Sequence, residues 1–167
     1  MEQIRGTILH RLIASMIGGG IEPSPDAVAV AFIREGMAEE TAHEMAADCL
    51  DAAQTTIGSA FLSDLIARAK EPVRCEWAME DRPREGAVRS GSADLAVNDG
   101  SFWWIVDFKT GRPLKSESDE AFISRHGDLH RRQMKAYGEM AAAVTGADRA
   151  AIRCGIYLTA LQKWLEI

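Results

Sequence analysis

The chain has 167 residues, of which 47% are hydrophobic and 26% charged, with a formal net charge of −6, the make-up of an ordinary soluble globular protein with room for one sizeable core. Its apolar runs fall short of a membrane span, no signal pattern opens it, and its three cysteines, Cys49, Cys75 and Cys154, are too scattered for a disulfide framework or a CxxC metal motif, so a reducing cytoplasm is the expected setting. The charge is uneven: residues 20–56 carry eight acids against Arg34, a net of −7, and residues 109–135 carry seven bases against four acids, a net of +3, which allows a local phosphate-binding surface on an acidic protein as well as two plain solvated faces.

The first seventy residues read as helical. "IRGTILHRLIASMI" places apolar residues at 4, 8, 9, 12, 13 and 16 and stops at Gly18-Gly19-Gly20, the spacing of an amphipathic helix with a glycine stop. Ser24 and Pro25 predict the cap and first position of a second helix ending at Gly36, and "AEETAHEMAADCLDAAQ" and "SAFLSDLIARAK" supply two more before Pro72. The texture then changes. "VRCEWAME" alternates like a strand, a charged turn "DRPREG" follows, and "AVRSGSADLAV" and "SFWWIVDFK" predict two strands joined at Asn98-Asp99-Gly100, a strong hairpin signal. A polar loop is expected from about Thr110 to Gly127. Asp128 is then the expected cap of a long helix running to Gly146, with "AAIRCGIYLTA" and "KWLEI" as closing strands.

Charge in the apolar hairpin is what carries chemistry. With Asp99-Gly100 as a two-residue loop, residue 94 lies opposite 105, and Asp107 and Lys109 follow at steps of two on the same face as Asp94. Asp94 and Asp107 would form a diagonal pair roughly 7–8 Å apart, and a one-residue slip would break the arrangement. Two carboxylates on a half-buried face repel each other and desolvate badly, so a positive group is expected beside them. Lys109 alone would make a plain salt bridge. A divalent cation, Mg2+ or Mn2+, suits the hard oxygens and keeps positions open for substrate oxygens. Such an ion acidifies a bound water and polarises a phosphoryl oxygen, with a neighbouring lysine to steady developing charge. His10 falls on the flank of the first helix's apolar stripe, where a histidine is ordinarily a satisfied core residue. Gln133 and Tyr137, four apart, share a helix face.

"GSAD" followed by "IVDFKTG" resembles the core of the PD-(D/E)xK nuclease superfamily. "GTILH" (Gly6, His10) and "QMKAY" (Gln133, Tyr137) are similar to the GxxxH and QxxxY motifs of its RecB-like branch, and "DFKTG" to that branch's DYKT box. The pieces keep family order over residues 5 to 137, and "RGTILHRL" and "GIYLTALQKWLEI" look most like the C-terminal nuclease domain of AddA/RecB-type helicase–nucleases. The resemblance implies a restriction-endonuclease-like α/β core: a mixed sheet, built of a three-stranded meander plus C-terminal strands, flanked by helices. It implies a single domain over 1–167, with 1–70 the helical segment bearing GxxxH and 71–167 the catalytic sheet and QxxxY helix. Asp94, Asp107 and Lys109 would be catalytic, and His10, Asp94, Asp107 and the Phe108 backbone carbonyl would hold Mg2+ or Mn2+. Gly6 would let another element approach closely. Gln133, Tyr137 and Thr110 would support the site or contact DNA. Arg131, Arg132 and Lys135 would be phosphate contacts or a solvated basic face. Glu76 is a candidate supporting acid, with Glu80 and Glu85 close alternatives.

The implied activity is a metal-dependent DNA exonuclease, the nuclease part of a helicase–nuclease in double-strand-break repair and recombination. No GxxxxGK[ST] occurs, so the helicase partner is expected outside this chain. The alternative is a catalytically silent nuclease-like module that binds DNA or scaffolds a helicase. Two departures stand out: Leu95 occupies the place of a usual arginine, and three cysteines do not make the four-cysteine cluster of iron–sulfur members.

Overall fold

Apolar spacing sorts the chain into helices that cover two faces of one sheet. The computed structural model describes residues 1–20, 23–82 and 86–167. Helix α1 (Glu2–Ile17) buries Ile8, Leu9, Leu12 and Ile13 and ends at Gly18, followed by Gly19 at φ 75°. Helix α2 (Pro25–Arg34) begins where expected, the Ser24 hydroxyl accepting the Ala27 N–H at 3.2 Å; such a cap contributes about 1 kcal/mol. Helices α3 (Glu39–Ile57) and α4 (Ala60–Ala67) follow, the latter capped by Ser59.

Strands β1 (Arg74–Asp81), β2 (Arg89–Asn98) and β3 (Trp103–Lys109) form the antiparallel meander. Helix α5 (Asp119–Thr145) then crosses over to β4 (Ile152–Leu158), parallel to β3, and β5 (Lys163–Glu166) returns antiparallel to β4. The result is a mixed five-stranded sheet in the order β1-β2-β3-β4-β5, the restriction-endonuclease-like α/β arrangement with a helical N-terminal part. Residues 83–85 of the charged turn, and with them Glu85, lie outside the described residues.

Helices α1 to α4 pack on one face, where Leu95, Val97, Val106, Phe108 and Tyr157 meet Leu9, Ile13, Phe32 and Leu62. Helix α5 covers the other, with Phe122, Met134 and Met140 against Ala96, Ile105, Ile156 and Leu158. Each of the buried Leu, Ile, Val, Phe and Met side chains contributes about 2 kcal/mol, so sheet and helices hold each other in place. Among the described residues no helix is long and apolar enough to cross a membrane.

Two expectations are corrected. The hairpin closes on four residues rather than two: Asn98 pairs with Trp103 and Ala96 with Ile105. The Asp99 carboxylate explains the wider loop. Its Oδ1 accepts the Ser101 and Phe102 N–H groups at 2.9 and 2.8 Å, and its Oδ2 accepts the Trp104 indole N–H at 2.8 Å, an Asx-type local bond that competes with tight pairing. The shift is by two, so the faces read from sequence survive.

Helix α5 starts at Asp119, nine residues before Asp128. Ser118 is its cap, accepting the Ala121 N–H at 3.2 Å, with Asp119 and Glu120 in the first turn, where the helix dipole favours acids. Gly127, expected at the end of the polar loop, sits buried inside the helix, where a Cβ would come within 3.1 Å of Leu165 Cδ2. Asp128 is a surface residue of the helix, ion-paired with Arg131 at 3.2 Å.

Candidate functional site

Pairing between β2 and β3 ends at Leu95–Val106; one step further, the same register sets Asp94 level with Asp107. There a side chain takes over from the backbone, Asp94 Oδ2 accepting the Phe108 N–H at 2.6 Å. On the opposite side of β3 the Lys109 carbonyl accepts the Thr159 N–H at 3.1 Å. Because the N–H and C=O of one strand residue point the same way and alternate along the chain, the Phe108 carbonyl points with its N–H, toward Asp94.

Strand β1 contributes a third acid to this row. Cys75 pairs with Leu95 and Trp77 with Ala93, which leaves Glu76 opposite Asp94, and Glu76 has the left-handed φ of 48°. A non-glycine residue there costs on the order of 1 kcal/mol or more. Its effect is to swap the faces of β1: Cys75 packs toward α1–α4, whereas Trp77 and Met79 pack toward α5. Glu76 itself is exposed, lining with Gly6, His10 and Thr110 a cleft of about 470 Å³.

Helix α1 reaches the row from one side. A Cβ on Gly6 would lie 2.9 Å from Thr110 Oγ1, so only a glycine lets the helix cross the end of β3 this closely. One turn later His10 Nδ1 stands 3.1 Å from Asp94 Oδ1. Burial pulls the His10 imidazole down, but the hydrogen bond and charge of Asp94, aided by Asp107, outweigh it and raise its pKa above the ordinary value. The crossing is fastened by Arg5, only 8% exposed, which donates to Asp48 Oδ2 at 2.7 Å and to the Thr110 carbonyl at 3.2 Å, while Arg112 donates to Asp48 Oδ1 at 2.6 Å. Partial burial works against the Asp48 carboxylate, yet these two arginines hold it below the usual range. Sequence reading missed this clamp because residues 5, 48 and 112 carry no shared motif.

Helix α5 reaches the row from the other side. Asp107 is 5% exposed; burial first, and the Asp94 charge second, push its carboxyl above the ordinary range against the pull of Lys109 and His10. Lys109 Nζ lies 2.5 Å from Asp107 Oδ2, outside hydrogen-bonding alignment, and that buried oxygen has no hydrogen-bond partner. Gln133 spans the pair: its Nε2 donates to Asp107 Oδ1 at 3.3 Å and to the Tyr137 hydroxyl at 3.1 Å, and its Oε1 accepts from Lys109 Nζ at 3.5 Å. The Tyr137 ring packs closely over Gly91 of β2, where a Cβ would come within 2.7 Å of its Cε1. His130, also missed in the sequence, stands with Nδ1 3.3 Å from Gln133 Oε1; its place three residues before Gln133 was the available signal. Arg131, Arg132 and Lys135 are exposed on the same helix and make none of these contacts.

The donor set suits a hard cation. His10 Nδ1 and Asp94 Oδ1, 3.1 Å apart, match the edge of about 3.0 Å between neighbouring ligands of an octahedral ion with bonds of roughly 2.1 Å. Asp107 Oδ2, ion-paired here with Lys109, and the Phe108 carbonyl are further oxygens at the same strand ends. Among the described residues no three His, Cys, Asp or Glu side chains are already gathered closely enough to hold an ion by themselves. Lys109, seated on Asp107, supplies the positive charge in their place.

No curated protein matches this chain closely enough to count as a relative. Residues 1–163 match the family model of the PD-(D/E)XK nuclease superfamily, whose members are nucleases that generally depend on divalent metal, and the chain belongs to that superfamily.

Proposed function

We propose that this chain is a DNA nuclease domain of the RecB-like branch, an exonuclease acting with Mg2+ or Mn2+ as the nuclease part of a helicase–nuclease in double-strand-break repair. The observation that supports it is the buried Asp107 carboxylate, level with Asp94, ion-paired with Lys109 and hydrogen-bonded by Gln133, at the end of the sheet where β2 and β3 part. Two carboxylates brought level on a buried strand end cost stability unless positive groups offset them, which makes sense where a cation and a phosphate are to be held.

In this reading Asp94, Asp107, His10 and the Phe108 carbonyl hold the ion. When bound, the ion acidifies a water and polarises the scissile phosphoryl group. Lys109 leaves Asp107 to steady the charge that develops on the phosphate as water attacks in line. Gln133 keeps Lys109 and Asp107 in position, Tyr137 and Thr110 border the backbone of the bound strand, and Arg131 and Arg132 meet more distant phosphates. Glu76, across from Asp94, supports the site from the cleft side. Residues 1–167 act as one nuclease unit working with a helicase outside the chain.

The test is cleavage of end-labelled single- and double-stranded DNA with Mn2+, Mg2+ or EDTA, beside Asp107→Ala and Lys109→Ala. Metal-dependent cutting lost in both variants supports the reading. A silent DNA-binding module is the second reading, favoured by the absence of a ready three-ligand cluster among the described residues. DNA retention without cutting in any metal would select it.

A further inference from the structure

Gln133 touches Asp107, Lys109 and Tyr137 at once, and its amide has two ends of opposite character. The carboxylate of Asp107 and the ammonium of Lys109 require Nε2 toward the first and Oε1 toward the second. A flip would turn a carbonyl onto a carboxylate and an NH2 onto an ammonium. The Lys109 contact, at 3.5 Å, is the longest of the set, so it holds the oxygen end weakly. His130 Nδ1 is nearer, at 3.3 Å from the same Oε1.

An imidazole nitrogen facing a carbonyl oxygen is stable only if it carries the proton, so His130 must have the Nδ1–H tautomer here. Several features favour that neutral ring. Burial first, and the Lys109 charge second, pull the His130 pKa down to about 4. His126 stacks against it with ring centroids 5.6 Å apart, and Phe122 packs on His126 at 4.4 Å. This column of three rings, at steps of four along α5, restricts how His130 can turn.

We propose that His130 is a positioning residue: its Nδ1–H fixes the Gln133 amide so that Nε2 is presented to Asp107 and Oε1 to Lys109. The inference rests on the nuclease reading for its catalytic consequence, but not for the hydrogen bond itself. All four bonding places of the amide are then filled, by Asp107, Tyr137, Lys109 and His130. Losing one partner lets the amide rotate, and Lys109 loses its only neutral restraint among the described contacts.

The experiment has two arms on the full chain. In the first, kcat and KM for DNA cleavage are measured for the wild type, His130→Ala, His130→Asn and Lys109→Ala. The expected result is a fall in kcat of about tenfold for His130→Ala, with KM and Tm little changed, and recovery in His130→Asn, which keeps an N–H donor. Wild-type kcat in His130→Ala, while Lys109→Ala is inactive, overturns the inference and leaves the nuclease reading standing. In the second arm, nitrogen-15 NMR reads the His130 tautomer in the wild type and in Gln133→Leu. An Nδ1–H tautomer that is lost in Gln133→Leu is expected. An Nε2–H tautomer, or one indifferent to Gln133, overturns the inference even if no DNA is cut, whereas absent cleavage with the expected tautomer overturns the nuclease reading alone.

Discussion

Replacing Lys109 with methionine isolates the charge balance at the centre of the site. Met keeps much of the lysine stem's volume while the ammonium is removed. What remains is Asp107, 5% exposed, beside Asp94 with its direct ion-pair partner gone and only the more distant His10, itself bonded to Asp94, to offset the charge. Breaking a buried pair in this way costs about 3 kcal/mol, and for a chain of this size each kcal/mol moves Tm by roughly 2–4 °C. In EDTA, Lys109→Met should therefore melt about 6–12 °C below the wild type. A divalent ion at a hundred times its Kd stabilises by about 2.7 kcal/mol, and in the variant it no longer competes with an ammonium for Asp107. Mn2+ should thus raise the variant's Tm more than the wild type's and narrow the gap. Differential scanning calorimetry with EDTA and with Mn2+ decides it, with Asp107→Asn as the variant expected to lose most of the Mn2+ response. An unchanged Tm for Lys109→Met in EDTA would refute the account of the buried pair. Equal Mn2+ shifts in wild type and Asp107→Asn would refute the placement of the ion.

Other outcomes follow from single contacts. The His10 pKa is raised in the fold, so the His10–Asp94 pair contributes stability that is fully present below about pH 6.5 and is lost as pH rises through the higher folded value; urea melts of wild type and His10→Gln across pH 5.5 to 8.5 should show that slope only in the wild type. Gly6→Ala gains roughly 1 kcal/mol of helix propensity but meets Thr110 Oγ1 at 2.9 Å; a double-mutant cycle with Thr110→Ala should give a coupling on the order of 1 kcal/mol, and additive values would mean the helix simply shifts. Gly155→Ala would place a Cβ 2.2 Å from the Leu165 carbonyl oxygen, a clash with backbone that should cost about 3 kcal/mol and detach β5, visible as lost amide protection at residues 163–166. Arg5→Ala removes charged hydrogen bonds to Asp48 and Thr110 and should cost about 2 kcal/mol by denaturant melt.

Local chemistry was enough for much of this molecule. Ser24-Pro25 marks the start of α2, Gly18 the end of α1 and Gly146, at φ 71°, the end of α5, because caps and stops are written in single residues. The period of two along β3 already put Asp107 and Lys109 on one face, and an even shift in hairpin register could not disturb that. Three matters waited for the tertiary structure. Asp99's own side chain decided the loop length, bringing Asp94 level with Asp107 instead of diagonal to it. Gly127 lies within α5 rather than before it, packed against Leu165, thirty-eight positions later in the chain. And the partners of the charged row, His10 at a separation of 84 residues and Gln133 at 26, were set by α1 and α5 docking on opposite faces of the sheet. Periodicity determines which way a side chain points; what it meets there depends on which distant segment the buried apolar surface draws across it.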